Sequence, residues 1–472
     1  MRRMIYILSA VFFLNGCNSW LDVQPYDRVA EDVAFGSVTG FENALNGIYI
    51  ELNRDVLYGR YLSTEMIELM AQRYNANKAT TYYFDVMDYA YTESNCESRF
   101  SSVWSKFYNL IANVNLLLKN CDAHRDILSD EYYSLIKGEA YALRGMMHFD
   151  LFRLFGPLYN TEDQTKLPYY KEFDLNKRPY CLPEHFMDNV ITDLDTALVF
   201  LQNDPVLTEG GRNVNSYAFM SHRNLRLNYY AVQLLKARAE LYRNNKSAAL
   251  EAAMKVINAQ EEWFPWVKRE AISSGKEDAD RVFYTEIIFG LQNPSLSKVF
   301  TALFDATNLG ADILLAPLSQ QVSKIFDNNQ DDYRYEAYLR NIKMVGGTNY
   351  SVFEKYRTTQ DTLAGTILPM LRVSEAFYIA AECEPVPADG LVWLNKVLRH
   401  RGVAEVENEQ LLTRTLEKEY LREFWGEGQL FYFYKRLQYP EIRVADDPAY
   451  SRTIEMLANY KVPIPEDETK YN

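Results

Sequence analysis

The sequence predicts a mainly all-α fold: a tetratricopeptide-like helical-repeat scaffold with irregular loop insertions and a few short strands. Three observations carry that reading. Along most of the 472 residues, apolar side chains recur at three- and four-residue spacing, the period of an amphipathic helix. Two segments, 240–257 and 371–401, read as helix, polar or proline-broken turn, and helix again, the layout of a stacked helical repeat. Two stretches, 73–98 and 260–317, lose the period and read as loops carried on the scaffold.

In chain order, Arg2 and Arg3 precede an apolar run from Ile5 to Leu14, far too short to span a bilayer, followed by Gly16 and Cys17. This pattern resembles a lipoprotein processing site. It predicts a signal peptide over 1–16, lipidation at Cys17, a tether over 17–30 and one domain over 31–472. Each acyl methylene would add about 0.8 kcal/mol of membrane affinity, so two or more chains would anchor the protein stably. After Leu14 no apolar run reaches the ~18 residues of a membrane-spanning helix.

Helices are expected over 41–53, 61–73, 103–120, 131–155, 184–201 and 224–243. In 131–155, Ala140, Leu143, Met147, Leu151 and Leu154 share one face, and Gly156-Pro157 ends the run. In 240–257, Asn244-Asn245 form the turn and Ala249 marks a close helix approach; in 371–401, Pro385 and Pro387 separate the two halves. The stretch 73–98 is rich in Tyr, Asn, Thr and Ser, while 260–317 combines Trp263, Phe264 and Trp266 with a strand-like VFYTEIIF at 282–289.

Composition narrows the function. With 48% hydrophobic and 14% aromatic residues, the chain can bury a large core and keep rings for its surface. A formal charge of −14 repels a phosphate backbone, which excludes nucleic acid as a partner. Cys96, Cys121, Cys181 and Cys383 are scattered without C-x-x-C spacing, so buried free thiols are expected rather than a zinc site.

No catalytic or metal motif stands out. The five histidines form no H-E-x-x-H pair, and neither a G-x-S-x-G elbow nor a P-loop is present. Asp327, Asn329 and Asp331 imitate the start of an EF-hand loop, but Asp332 stands where glycine is required and Tyr338 where the bidentate glutamate belongs. No metal and no cofactor are therefore expected. Glu139 with Arg144, Arg372 with Glu375, and Arg422, Glu423, Glu427 and Arg436 lie within apolar helix faces, where charges must be paired. They read as structural ion pairs rather than catalytic groups.

Several segments, taken in order, resemble the SusD/RagB family of surface-exposed, nutrient-binding outer-membrane lipoproteins of Bacteroidetes. They are WLDVQP at 20–25, GEAYALRG at 138–145, FDLFRLFG at 149–156 and Arg178-Pro179 followed by Glu184 and ITDL at 191–194. AVQLLKARAELY at 231–242, EIIF at 286–289, Lys355-Tyr356, PMLRVSE at 369–375, LNKVLRHR at 394–401 and REFWGEGQ at 422–429, running on to Lys435-Arg436, complete the set. Gly145 departs from the alanine usual in the family, and a turn is shortened at 383–389.

The resemblance implies a non-catalytic surface lipoprotein that captures an oligosaccharide and delivers it to a SusC-like TonB-dependent outer-membrane transporter. Alternatives are a peptide or protein-fragment receptor, a surface glycoside hydrolase, which needs two carboxylates at a set separation, or a structural helical adaptor. A sugar-binding surface requires a flat ring for the C–H face of the sugar, bordered by amide and guanidinium donors for its hydroxyls. Both irregular stretches supply these groups: Tyr74, Tyr82 and Tyr83 with Arg73, Asn75 and Asn77 in the first, Trp263 and Trp266 in the second. Tyr83, Phe84 and Phe264 are equally suited to packing beneath their own loops.

Overall fold

The computed structural model describes residues 31–76, 81–173, 180–214, 217–272, 279–307, 315–357 and 363–469. Cys17, the tether, Asn77 and the pair Arg178-Pro179 lie outside the described residues. Ser37 caps α1 (Val38–Leu52): its hydroxyl accepts from the Gly40 N–H at 3.2 Å, and Phe41, Leu45, Ile48 and Leu52 form the buried stripe. Two short helices, α2 (Met66–Met70) and α3 (Thr81–Met87), lead to the long α4 (Ser94–Ala123).

The next helix, α5 (Asp130–Phe155), is capped by the Ser129 hydroxyl, with Asp130 and Glu131 in the first turn where the helix dipole favours negative charge. Gly156-Pro157 ends it. α6 (Pro183–Phe200) begins on a proline, whose missing N–H would have had no helical partner at that position. Asn228 caps α7 (Tyr229–Tyr242), and Asn244 at φ 64° turns the chain into α8 (Lys246–Asn258), where fully buried Ala249 permits close approach. α9 (Val373–Cys383), α10 (Pro387–Arg399), α11 (Leu412–Glu423) and α12 (Leu430–Arg436) follow. From α4 through α10 each of these helices packs against the next, so helix pairs stack in one continuous run as the repeat reading expects.

The strands are short antiparallel pairs: β1 (Leu167–Pro168) with β2 (Tyr180–Cys181), β3 (Ile287–Gln292) with β6 (Ile367–Arg372), β4 (Ile342–Val345) with β5 (Thr348–Ser351), and β7 (Glu441–Arg443) with β8 (Thr453–Glu455). β3 and β6 are buried. Gly290 lies opposite Pro369, and a Cβ there would come within 2.6 Å of the Ile367 side chain.

Several elements differ from the periodicity reading: the helix expected over 224–243 begins at Tyr229, and the stretch 260–317, read as loop, carries a helix over Leu296–Leu303. Of the helix expected over 61–73, only Met66–Met70 is α-helical; the preceding residues fold into turns around the Arg60 carbonyl, which accepts from the Thr64 and Glu65 N–H groups. The stretch 73–98 is partly helical: Tyr82, Tyr83 and Val86 bury one face of α3, and α4 starts at Ser94, nine residues before its expected beginning at 103. The central strand starts at Ile287 rather than 282, because the Asp280 carboxylate accepts from the backbone N–H groups of Val282 (3.2 Å) and Tyr284 (2.8 Å) and folds that stretch into a turn.

The charged motif residues are paired, but across elements rather than within their motifs. Positions five apart on a helix point about 140° away from each other, so Glu139 turns to Arg223 (2.6 Å) and Arg226 (3.1 Å) while Arg144 takes Asp193 (2.6 Å). Glu375 pairs with Arg238 (2.6 Å), Arg422 with Asp327 (2.6 Å) and Arg436 with Glu382 (2.6 Å). Glu423 is the hub, accepting from Arg401 (2.7 Å), Arg334 (3.1 Å) and Arg372. Burial opposes its ionisation, but Arg401 and Arg372 hold its carboxyl well below the usual range. Asp332, from the EF-hand-like stretch, closes on Arg334 at 2.7 Å.

Cys96, Cys121, Cys181 and Cys383 are not disulfide-bonded; burial pushes the Cys96, Cys121 and Cys383 thiols up to about 12.

Candidate functional site

The first irregular stretch divides into a buried half and an open half. Tyr74 is fully buried, its ring between Phe304 (5.6 Å) and Phe353 (6.2 Å), so it is a core residue and not a surface platform. Arg73 is buried too: its guanidinium donates to the Tyr420 carbonyl at 3.3 Å and to that of Leu421, and it lies over the Trp425 ring. Tyr82 donates its hydroxyl to Glu65 (2.9 Å) under the Arg99 guanidinium, and Tyr83 lies 5.2 Å from the Tyr82 ring. On α3 the Tyr82 ring can be buried because the Glu65 carboxylate is inside to accept from its hydroxyl, whereas Arg73 and Tyr74 precede that helix and are held by the segment 420–425 and by Phe304 and Phe353.

Asn75 is different. Its backbone N–H donates to the Ala316 carbonyl at 3.0 Å, which holds the residue at the wall of a cleft of about 300 Å³. Phe84 and Met87 from α3, Asp88, and Gln72 line the same side. Across from them stand Val444, Asp446, Arg452, Thr453 and Ile454, from the β7–β8 hairpin and its turn. Phe84 is 45% exposed.

The cleft's frame is made of backbone-directed hydrogen bonds. Gln72, at φ 56°, donates to the Met87 carbonyl (2.8 Å) and accepts from the Ala445 N–H (3.4 Å), joining the two walls. Asp447 receives the N–H groups of Ala449 (2.9 Å), Ser451 (2.6 Å) and Arg452 (2.7 Å), fixing the turn that carries Arg452; these donors lower its pKa. Arg452 pairs with Asp446. Asp88 is raised above the ordinary aspartate value by partial burial and by the nearby Asp446 and Asp85 carboxylates.

The site thus presents one apolar ring, an amide, a guanidinium and carboxylates around a cleft, the set that hydroxyl-rich ligands require. Of the expected residues that are described, Asn75 alone lines it. Phe84, for which the sequence leaves packing beneath its own loop as an alternative, is its exposed ring, and Arg452 and Asp446 come from a distant part of the chain. The run DDPAYSR at 446–452, with aspartate ahead of proline and serine, is the turn signal that could have pointed there.

The two tryptophans lie elsewhere. Trp263 is half-buried over Gly210, where a Cβ would meet its ring at 2.6 Å, and its carbonyl accepts from Arg212 at 3.1 Å. Trp266, also half-buried, stacks on His400 at 5.0 Å and packs against Phe377 at 5.1 Å. Neither lines the Phe84 cleft.

Comparison with known proteins fits this architecture. Residues 19–225 match the SusD-like family described as "Starch-binding associating with outer membrane". SusD-like protein P25 of Formosa agariphila is 21% identical over 326 residues, which cover 66% of this chain and 55% of that protein; the chain thus spans little more than half of its length. A SusD superfamily protein from Bacteroides vulgatus superposes with a TM-score of 0.72 at 20% identity, covering 92% of this chain and 97% of that one. A SusD-like carbohydrate binding protein from the same species gives 0.69 at 19%, with coverages of 92% and 96%. Residues 19–225 are thus similar to the SusD-like family, and the chain over 92% of its length shares the fold of SusD superfamily proteins.

Proposed function

We propose that the protein binds an oligosaccharide at the Phe84 cleft without turning it over and passes it to a SusC-like TonB-dependent transporter in the outer membrane. The observation that carries the binding step is the exposed Phe84 ring held beside Asn75 and Arg452 in a pre-formed cleft. Similarity to the SusD-like family supports the remainder: anchoring through lipidated Cys17, exposure on the cell surface, and hand-over to the transporter. A binder tethered above its channel makes the transfer nearly intramolecular. Trp263 and Trp266 remain candidate contacts for a longer ligand. Absence of turnover is consistent with Asp446 being engaged by Arg452 rather than free to act as the second carboxylate of a hydrolase.

The test is affinity electrophoresis of the chain in gels containing neutral, uronate and sulfated glycans, with product analysis of the same incubations. Retention by at least one glycan, weakened by Phe84→Ala and unaccompanied by shorter products, is expected. Retention unaffected by Phe84→Ala would remove the cleft, and released oligosaccharides would establish an enzyme. Co-purification of a TonB-dependent transporter with the lipidated protein checks the partner.

A further inference from the structure

A cavity of about 30 Å³ lies where the C-terminal ends of α5 and α7 meet α9, α11 and α12, and it shares no lining residue with the Phe84 cleft. It has room for one or two waters or one monatomic ion, and none for a sugar. Four of the segments that carry the family resemblance, 149–156, 231–242, 369–375 and 422–436, come together at its wall. Arg153, Arg238 and Arg436 line it, and the Tyr242 phenol stands among them. The Tyr242 hydroxyl is buried and has no hydrogen-bond partner among the described residues. A buried hydroxyl without a partner is costly, so one placed at a cavity points to an occupant that the hydroxyl serves.

The sign of the occupant follows from which groups face the cavity. Arg153 pairs with Asp150 and Arg436 with Glu382 (2.6 Å), but neither of these carboxylates lines the cavity, so both pairs turn their positive end toward it. Glu375, the one carboxylate in the wall among the described residues, has each of its oxygens on Arg238, both at 2.6 Å. The Gln429 amide is engaged as well: its oxygen accepts from Arg153 (2.9 Å) and its nitrogen donates to the Glu427 carbonyl (3.0 Å). Burial raises the pKa values of Tyr242, Tyr420 and Tyr432, so all three phenols in the wall keep their protons, although the Arg153 and Arg436 charges pull the Tyr242 value down.

Donors therefore outnumber acceptors around this space. A water would need acceptors for its own two protons, whereas a halide ion needs none and is held by the converging positive ends of the ion pairs. The route in runs along the Arg238 and Arg436 edge, where the two side chains keep 12% and 10% of their surface and Gln429 is half-buried. We propose that this cavity is a binding site for a monatomic anion, chloride, which ties α5, α7 and α12 together through Tyr242 and the arginines.

Crystals of the full chain grown in halide-free salt and soaked in bromide test the site. An anomalous peak inside the cavity, within hydrogen-bond reach of Tyr242, is expected; a cavity without bromide, dry or holding water, overturns the proposal. In solution, the melting temperature is followed as chloride replaces methanesulfonate at constant ionic strength, for the wild type and for Tyr242→Phe, which keeps the ring and removes the donor. The wild type should rise with chloride and level off, as mass action requires. Tyr242→Phe should need about 10-fold more chloride for the same rise. The same chloride dependence in both forms would place the effect elsewhere on the protein and overturns the proposal. A bromide peak with no rise in the wild type would be binding at crystal concentration only, and overturns it too.

Discussion

The ionic interior around Glu423 and the cleft around Phe84 are built from the same residue types, aromatic rings, arginines and carboxylates, and do opposite things with them. In the interior, Arg334, Arg372 and Arg401 each reach Glu423 and at least one further carboxylate, and all four side chains are at most 1% exposed. In the cleft, Arg452 has one exposed carboxylate partner, and Phe84 keeps nearly half its surface. The interior is saturated; the cleft is left with capacity. Residue type therefore says little about function here, and the degree to which neighbours already satisfy a side chain says much more.

The contrast is sharpest where one partner is removed. Glu423→Gln takes a charge from three buried guanidinium groups, and breaking such a set costs about 3–5 kcal/mol; urea denaturation should show it, and a loss under ~1 kcal/mol would mean that the network relaxes as a surface cluster does. Next comes Tyr74→Ala, which leaves a cavity between Phe304 and Phe353 and should cost about 3 kcal/mol. Glycan affinity of the folded Tyr74→Ala fraction should be unchanged, since Tyr74 does not line the cleft. Phe84→Ala reverses both outcomes: stability within about 0.5 kcal/mol of wild type, affinity down about 10-fold. If Tyr74→Ala instead weakened binding and Phe84→Ala weakened folding, the division between interior and cleft would be wrong.

Much of the scaffold was readable in the sequence because helix signals are local. Ser129 with Asp130 and Glu131 at one end of α5 and Gly156-Pro157 at the other are adjacent in the chain to what they control, and the observed Asp130–Phe155 lies within a residue of the expected 131–155. Asn244 and Pro387 mark their turns in the same way. The site was less readable, since its parts meet only through tertiary structure: Asn75 is brought to Arg452 by way of Gln72, Met87 and Ala445. Burial was the second hidden quantity. Tyr74, Tyr82, Tyr83 and Phe84 are near neighbours in sequence with similar rings, yet only Phe84 faces outward, because the three tyrosines face the core elements and Glu65 on the other side. Ion pairing failed for the same reason: the charges in each motif were recognised as structural, but their partners lie on other helices.

The smallest effect concerns the segment after β1, at Tyr170, and is read through pH. His148 is fully buried, with Nδ1 3.0 Å from the Arg144 carbonyl and Nε2 accepting the Tyr170 N–H at 3.2 Å. Those two bonds require a proton on Nδ1 and none on Nε2, the neutral imidazole. Burial holds its pKa well below 6.5; the hydrogen bond to the Arg144 carbonyl opposes this, and the Arg144 and Lys171 charges add to the lowering. In the unfolded chain the same group titrates near ~6.5. Below that pH the unfolded state binds the extra proton, so the stabilising difference is fully present above ~6.5 and is lost as pH falls toward the folded value. One such group gives a slope of at most about 1.4 kcal/mol per pH unit. In His148→Gln, which keeps a neutral acceptor, that component disappears while every shared carboxylate titration stays. Urea midpoints at pH 6.5 and 5.5 should therefore fall more steeply for the wild type, by an amount worth about 1 kcal/mol. Parallel slopes would mean that His148 carries its proton in the folded protein, and then its Nε2 could not accept the Tyr170 N–H.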